Sequence, residues 1–183
     1  MRTCLKVRPY DLELLGERTR EIKQGELAHK ALYLLPPLPK KASKAQVAKL
    51  VETALRQAVA LADSHLQKDL SALVPRLKAL LTEALSLPEV CRFFEEGLEV
   101  YQELEIQDEN GELHRLDRLI MTEEGPVILE FKLGGRQKSH LEQVRLYQCL
   151  IQKIYNLNPR AYLLYLEEPA LIEVGRPVQL SLF

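Results

Sequence analysis

Arg115-Leu-Asp-Arg-Leu-Ile-Met-Thr-Glu-Glu-Gly-Pro-Val-Ile-Leu-Glu-Phe-Lys132 decides both the fold and the chemistry of this chain. Two short apolar segments flank a turn at Glu123-Glu-Gly-Pro126, where Gly and Pro punctuate the chain. The first segment carries Asp117, and the second, Val127-Ile-Leu, runs into Glu130-Phe-Lys132. Residues i and i+2 of a strand share a face, so Glu130 and Lys132 point one way and Phe131 the other. If the segments pair as a hairpin, Asp117 approaches the Glu130 face. Two carboxylates and an ammonium on one sheet edge make a hard-cation site with a group that can position water. That is the chemistry of metal-assisted phosphodiester cleavage.

Outward from this hairpin the chain reads as α/β. Residues 98–106 and 113–121 form strands around Asp108-Glu-Asn-Gly111, because Asn-Gly readily takes positive φ. Residues 127–132 form a third strand, and Gly134-Gly135 breaks the chain. A helix follows from Ser139 to about Tyr155, ended by Asn156-Leu-Asn-Pro159, and residues 161–166 and 171–174 are two more strands. The first half is helical. Apolar spacing marks one helix over 11–35, closed by Pro36-Pro37; Ser43 can cap a second, with Val47, Leu50, Val51, Ala54, Leu55, Ala58 and Val59 on one stripe. A third covers 66–85, which Pro75 either kinks or restarts, and a short one covers 88–96, closed by Gly97. Helices, three antiparallel strands, a helix and two strands predict a mixed sheet flanked by helices.

The acid, the gap and the Glu-Phe-Lys run resemble the PD-(D/E)XK nuclease superfamily. Further residues are similar to its RecB-type branch, found at the ends of UvrD-like helicase-nucleases: Gly25-Glu-Leu-Ala-His29 on an early helix, Glu103 in Tyr101-Gln-Glu-Leu-Glu-Ile106, and Gln143-Val-Arg-Leu-Tyr147 after the lysine. The resemblance runs from about Glu21 to Gly175, and departs at Glu130, where the branch more often has Asp. It implies a restriction-endonuclease-like core in a nuclease domain over 1–177, with 1–97 mainly helical, 98–175 the sheet core, and 139–155 the active-site helix. The branch's Cys-Pro-aromatic helix is absent before Met1, which suggests a fragment of a longer protein.

The resemblance also implies roles. Asp117, Glu130, the Phe131 backbone carbonyl and His29 would hold Mg²⁺ or Mn²⁺, and Glu103 would hold a second metal or brace the first. Glu105 shares the face of Glu103, so the choice between them rests on the family pattern. Lys132 would orient water or stabilise developing charge, and Gln143 and Tyr147, one helical turn apart, would position the lysine and the scissile strand, with Tyr147 stacking on or bonding to nucleic acid. Cations from 132 to 153 are opposed only by Glu142; Arg118, Arg136, Lys138 and Arg145 are the candidates for DNA phosphates, against the blander reading of a solvated helix face.

Bulk composition bounds these readings. A net charge of −1 excludes a uniformly basic nucleic-acid-binding body, so any DNA contact must be local. Cys4, Cys91 and Cys149 lack CxxC spacing, which argues against an iron-sulfur cluster and for reduced thiols in a cytoplasmic protein. No apolar run is long enough to span a membrane and no secretory signal is evident. Residues 178–183 read as a tail: Gln179-Leu-Ser-Leu-Phe183 resembles the bacterial sliding-clamp-binding pentapeptide, with Gln179, Leu180, Leu182 and Phe183 as anchors, unless it is a final edge strand. The leading expectation is a divalent-metal-dependent DNA nuclease acting on ends or single strands in break repair, joined to a helicase. A catalytically silent nuclease-like fold that binds DNA or protein is the rival.

Overall fold

A computed structural model of the chain describes residues 20–175. Its elements are α1 (Arg20–Leu34), α2 (Lys44–Ala60), α3 (Ser64–Leu85), α4 (Pro88–Cys91), β1 (Glu99–Gln107), β2 (Leu113–Thr122), β3 (Gly125–Lys132), α5 (Lys138–Tyr155), β4 (Arg160–Tyr165) and β5 (Ala170–Glu173). The five strands form one sheet in the order β1-β2-β3-β4-β5. All neighbours are antiparallel except β3 and β4, which run parallel because α5 carries the chain back across the sheet.

The sheet separates two apolar layers. Val127, Leu129 and Phe131 of β3, with Ile120, Tyr162 and Leu164, pack under α1–α4. Ile128, Leu119 and Leu163 pack under α5 against Val144, Tyr147, Leu150 and Ile151. Strand β3 is therefore covered on both faces, which explains its unbroken apolar run. Glu130 and Lys132 share the parity of Ile128 and face the α5 side, as the alternation predicts.

Local signals act as expected in most places. Ser43 caps α2 through a capping box with Gln46. Asp108 Oδ1 accepts from the N–H groups of Asn110 and Glu112, and Gly111 takes φ 86°, closing the β1–β2 turn. Asn156 ends α5 in the left-handed region. One alternative is decided and two expectations change. Pro75 lies within the single helix α3 and starts no new one. The helical segment after Leu87 is only Pro88–Cys91, followed by turns to Gly97 at φ 89°. Helix α5 begins at Lys138, with Gln137 rather than Ser139 in the capping position and no side-chain cap. Among the described residues no helix is long and apolar enough to cross a membrane. The tail residues Gln179, Leu180, Leu182 and Phe183 lie outside the described residues, as does the predicted start of the first helix.

Candidate active site

The site begins where the ladder between β2 and β3 stops. Pairing runs from Thr122↔Gly125 to Arg118↔Leu129 and goes no further. Beyond that fork a side chain replaces the backbone partner: the Phe131 N–H donates to Asp117 Oδ2 at 2.7 Å. A strand residue directs its N–H and C=O to the same neighbour, so the Phe131 carbonyl also faces the opened side. Asp117 Oδ1 lies 3.0 Å from His29 Nδ1 on α1. One carboxylate thus ties the helical layer to both central strands.

Glu103 stands opposite Asp117, between the pairs Gln102↔Arg118 and Leu104↔Leu116. Its φ is 52°, a left-handed conformation in mid-strand that a non-glycine residue adopts at a cost of about 1–3 kcal/mol. Donor atoms of His29, Glu103 and Asp117 all lie within 4.8 Å of one another. Glu103 Oε2 is buried without an aligned hydrogen bond, although Arg115 Nε is 2.8 Å away. An imidazole, two carboxylates and an unsatisfied carboxylate oxygen suit a divalent cation such as Mn²⁺ or Mg²⁺.

Glu130 borders this trio and is turned toward the lysine. Lys132 Nζ donates to Glu130 Oε1 and to Gln143 Oε1, each at 2.9 Å. Gln143 Nε2 donates to the Tyr147 hydroxyl at 2.7 Å, and that hydroxyl donates to the Arg115 carbonyl at 2.9 Å. The chain of bonds fixes the ammonium between β3 and α5. These groups line one cleft of about 500 Å³ with His29, Glu105, His114 and Arg115.

Burial and mutual repulsion set the charges. Burial, reinforced by the Asp117 charge, pushes Glu130 up to about 7 against the opposing pull of Lys132. Burial alone would raise Asp117, but His29, the Phe131 N–H and Lys132 together hold it below the usual carboxylate range. Burial alone would lower His29, yet the Asp117 charge and hydrogen bond leave it raised. Burial also raises Glu103, with Arg115 opposing. Folded Glu130, His29 and Glu103 therefore hold protons more tightly than the unfolded chain does. Their contribution to stability is complete below the ordinary pKa values and is lost as pH rises through the folded ones. Thermal midpoints in EDTA should accordingly fall between about pH 5 and pH 8, and Mn²⁺ should counter the fall by taking the place of the departing protons. A midpoint that rises over this range in EDTA would contradict the assignment.

A family model describing the PD-(D/E)XK nuclease superfamily matches residues 5–179 of the 183 in the chain. The chain belongs to the PD-(D/E)XK nuclease superfamily. A divalent metal is the cofactor class of these nucleases, and the donor set above fits one. Two solved structures are similar. A repair endonuclease from Pyrococcus abyssi is 24% identical over 48% of this chain and 37% of its own, with a TM-score of 0.34. SSO0001 is 16% identical over 91% of this chain and 74% of its own, with the same TM-score of 0.34. The matched region thus spans little more than a third of the repair endonuclease. None of the curated protein sequences matches this one.

Within this nuclease fold the expected residues separate into two groups. His29, Glu103, Asp117, Glu130, Lys132, Gln143 and Tyr147 come together. Arg118 does not: it lies on the opposite sheet face, 6% exposed, donating to the Phe93 carbonyl and to Gln102, with its guanidinium 4.6 Å from the centre of the Phe94 ring. The expected phosphate contact at Arg118 is therefore corrected to an internal brace. Arg118→Ala should cost about 2–4 kcal/mol in chemical denaturation, through a lost stack and an unpaired carbonyl. An unchanged midpoint would refute that role. The stacking role for Tyr147 is corrected too, since its ring is 3% exposed and packed beneath α5. Arg136, Lys138 and Arg145 are exposed but none lines the cleft. Lys138 and Arg145 share the face of α5 roughly 200° from Gln143. Arg115 and His114 were missed, although Arg115 lies two residues before Asp117 and strand alternation gives it the same face.

Proposed function

We propose that this chain is a divalent-metal-dependent deoxyribonuclease that degrades DNA ends or single strands in recombination and break repair. The observation that supports it best is the meeting of Asp117, His29 and Glu103 beside the Lys132–Glu130 pair, at a cleft lined by Asp117, His29, Glu130 and Lys132. His29, Asp117, Glu103, Glu130 and the Phe131 carbonyl would hold the ion. A bound divalent ion supplies Lewis-acid charge that eases ionisation of water and neutralises the leaving oxygen.

The chain's own groups do the positioning. Lys132, anchored by Glu130 and Gln143, offers its remaining N–H to the attacking water or to a non-bridging phosphate oxygen. Asp117 keeps its charge, so His29 stays oriented. Tyr147 fixes Gln143 from beneath and touches no substrate.

In this reading residues 1–177 act as one nuclease module, joined to a UvrD-like helicase that feeds single strand into the cleft. Arg136, Lys138 and Arg145 would meet a longer DNA outside it. The tail Gln179-Leu-Ser-Leu-Phe183 would recruit the enzyme to a sliding clamp.

The decisive assay offers end-labelled linear DNA, as duplex and as single strand, to the purified chain with Mg²⁺, Mn²⁺ or EDTA. Metal-dependent loss of label, with covalently closed circles spared, is the expected result. Inert linear DNA under every condition would leave a silent nuclease-like fold as the better description. Deleting residues 179–183 should remove clamp binding and spare cleavage of free DNA.

A further inference from the structure

We propose that Arg115 is a metal-responsive phosphate contact: it neutralises Glu103 until a divalent ion binds, and is then released to the DNA backbone. This rests on the metal-dependent nuclease reading above.

Three observations lead here. The first is a competition for one oxygen. Arg115 Nε lies 2.8 Å from Glu103 Oε2, yet that oxygen is buried with no aligned hydrogen bond. The oxygen therefore keeps a lone pair for a better partner. Glu103 also belongs to the trio with His29 and Asp117 whose donor atoms lie within 4.8 Å of one another. A divalent ion on the trio and the guanidinium beside it would contend for the same carboxylate and repel each other. The ion carries the larger charge, so the guanidinium is the one to leave.

The second is freedom to move. The Arg115 side chain is 46% exposed, while its backbone carbonyl is pinned by the Tyr147 hydroxyl at 2.9 Å. The strand stays fixed while the exposed part of the side chain turns.

The third is the phosphate's need for a partner. Arg115 and Lys132 are the Lys and Arg side chains that line the cleft. Lys132 gives two of its three N–H groups to Glu130 and Gln143 and has one left to offer. Arg118 is buried, and the cations of α5 do not line the cleft. A planar guanidinium released beside the ion can take two oxygens of one phosphate, which an ammonium cannot match. Metal and DNA binding then reinforce each other, each removing the obstacle to the other, and the coupling must be equal in both directions.

The full chain tests this with two readouts besides cleavage: Mn²⁺ calorimetry, and anisotropy of a labelled single-stranded oligonucleotide in Ca²⁺ or EDTA. Ca²⁺ takes the same class of oxygen ligands. Wild type should bind the oligonucleotide about tenfold more tightly in Ca²⁺ than in EDTA. Arg115→Gln should bind Mn²⁺ about threefold more tightly than wild type, because the competing cation is gone, and should lose most of the Ca²⁺ effect on DNA. Arg115→Lys should lie between the two. Unchanged or weaker Mn²⁺ binding by Arg115→Gln overturns the proposal, as does an equal loss of DNA affinity in Ca²⁺ and EDTA. If wild type itself gives no Mn²⁺ heat, or Asp117→Asn binds Mn²⁺ as well as wild type, the metal-site reading falls and takes this one with it.

Discussion

Asp117→Asn should reduce metal-dependent DNA cleavage by at least about 10³-fold and remove measurable Mn²⁺ binding. Both carboxylate oxygens are in use: Oδ2 holds the Phe131 N–H at the fork of the sheet, and Oδ1 faces His29 Nδ1. The amide has one acceptor oxygen. If that oxygen keeps the Phe131 N–H, the NH₂ group meets His29; if it turns to His29, two N–H donors face each other at the fork. The substitution also removes the negative charge that keeps the His29 pKa raised. The variant should lose about 1–3 kcal/mol of stability at neutral pH, because a buried donor is left without a full partner. End-labelled DNA, calorimetry and urea denaturation on one preparation separate these effects. Retained Mn²⁺ binding in a folded variant would show that the ion, if any, is held elsewhere.

Lys132→Met should cost about 10²–10³ in rate and has a second signature that a purely electrostatic role at the phosphate would not produce. Glu130 is 2% exposed, and Lys132 is the cation that opposes its protonation most strongly. Without the ammonium, Glu130 should rise beyond its present value of about 7 and be protonated throughout the neutral range. Mn²⁺ binding by Lys132→Met should therefore be weak at pH 7 and recover on raising the pH. The double variant Lys132→Met, Glu130→Gln should regain stability relative to Lys132→Met alone above neutrality, where the unpaired charge is costly, without regaining activity. Calorimetry across pH and denaturation of the four-member cycle measure both. A pH-independent Mn²⁺ affinity in Lys132→Met would show that Glu130 does not depend on its lysine.

The sheet was legible because β3 announces itself twice. Pro126 to Leu129 is a short, unbroken apolar run bounded by a turn, and the Glu-Phe-Lys alternation divides the end of the strand between two layers. The same alternation placed Glu130 with Lys132 correctly. It was not carried far enough on β2, where it puts Arg118 opposite Asp117 and Arg115 beside it; charge suggested a surface for Arg118 that the helices cover. Tyr147 misled for a related reason. Helical spacing joins it to Gln143, but spacing does not say that α5 lies directly on the sheet there. His29 was reachable only through the family pattern, since 88 residues separate it from Asp117 and no local periodicity spans such a gap. The left-handed turn of Glu103 has no local signal, because a glutamate in a strand gives no warning of positive φ. It is imposed by the neighbours, in the way strained residues gather at functional sites.

On the proposed nuclease reading, the bond between His29 on α1 and Asp117 on β2 makes cutting competence a property of the assembled protein. An isolated hairpin could bring its acids together, but it would lack the imidazole. A docked helical layer could present the imidazole, but it would have nothing to clasp. On the ribosome the histidine emerges long before Gln143 and Tyr147, so the parts of the site are made separately and meet only once the later ones have folded. Conversely, mild heating that lifts α1 from the sheet would silence the proposed activity while most of the strands stay paired. Loss of activity would then precede loss of structure, as a latch opens before its door falls.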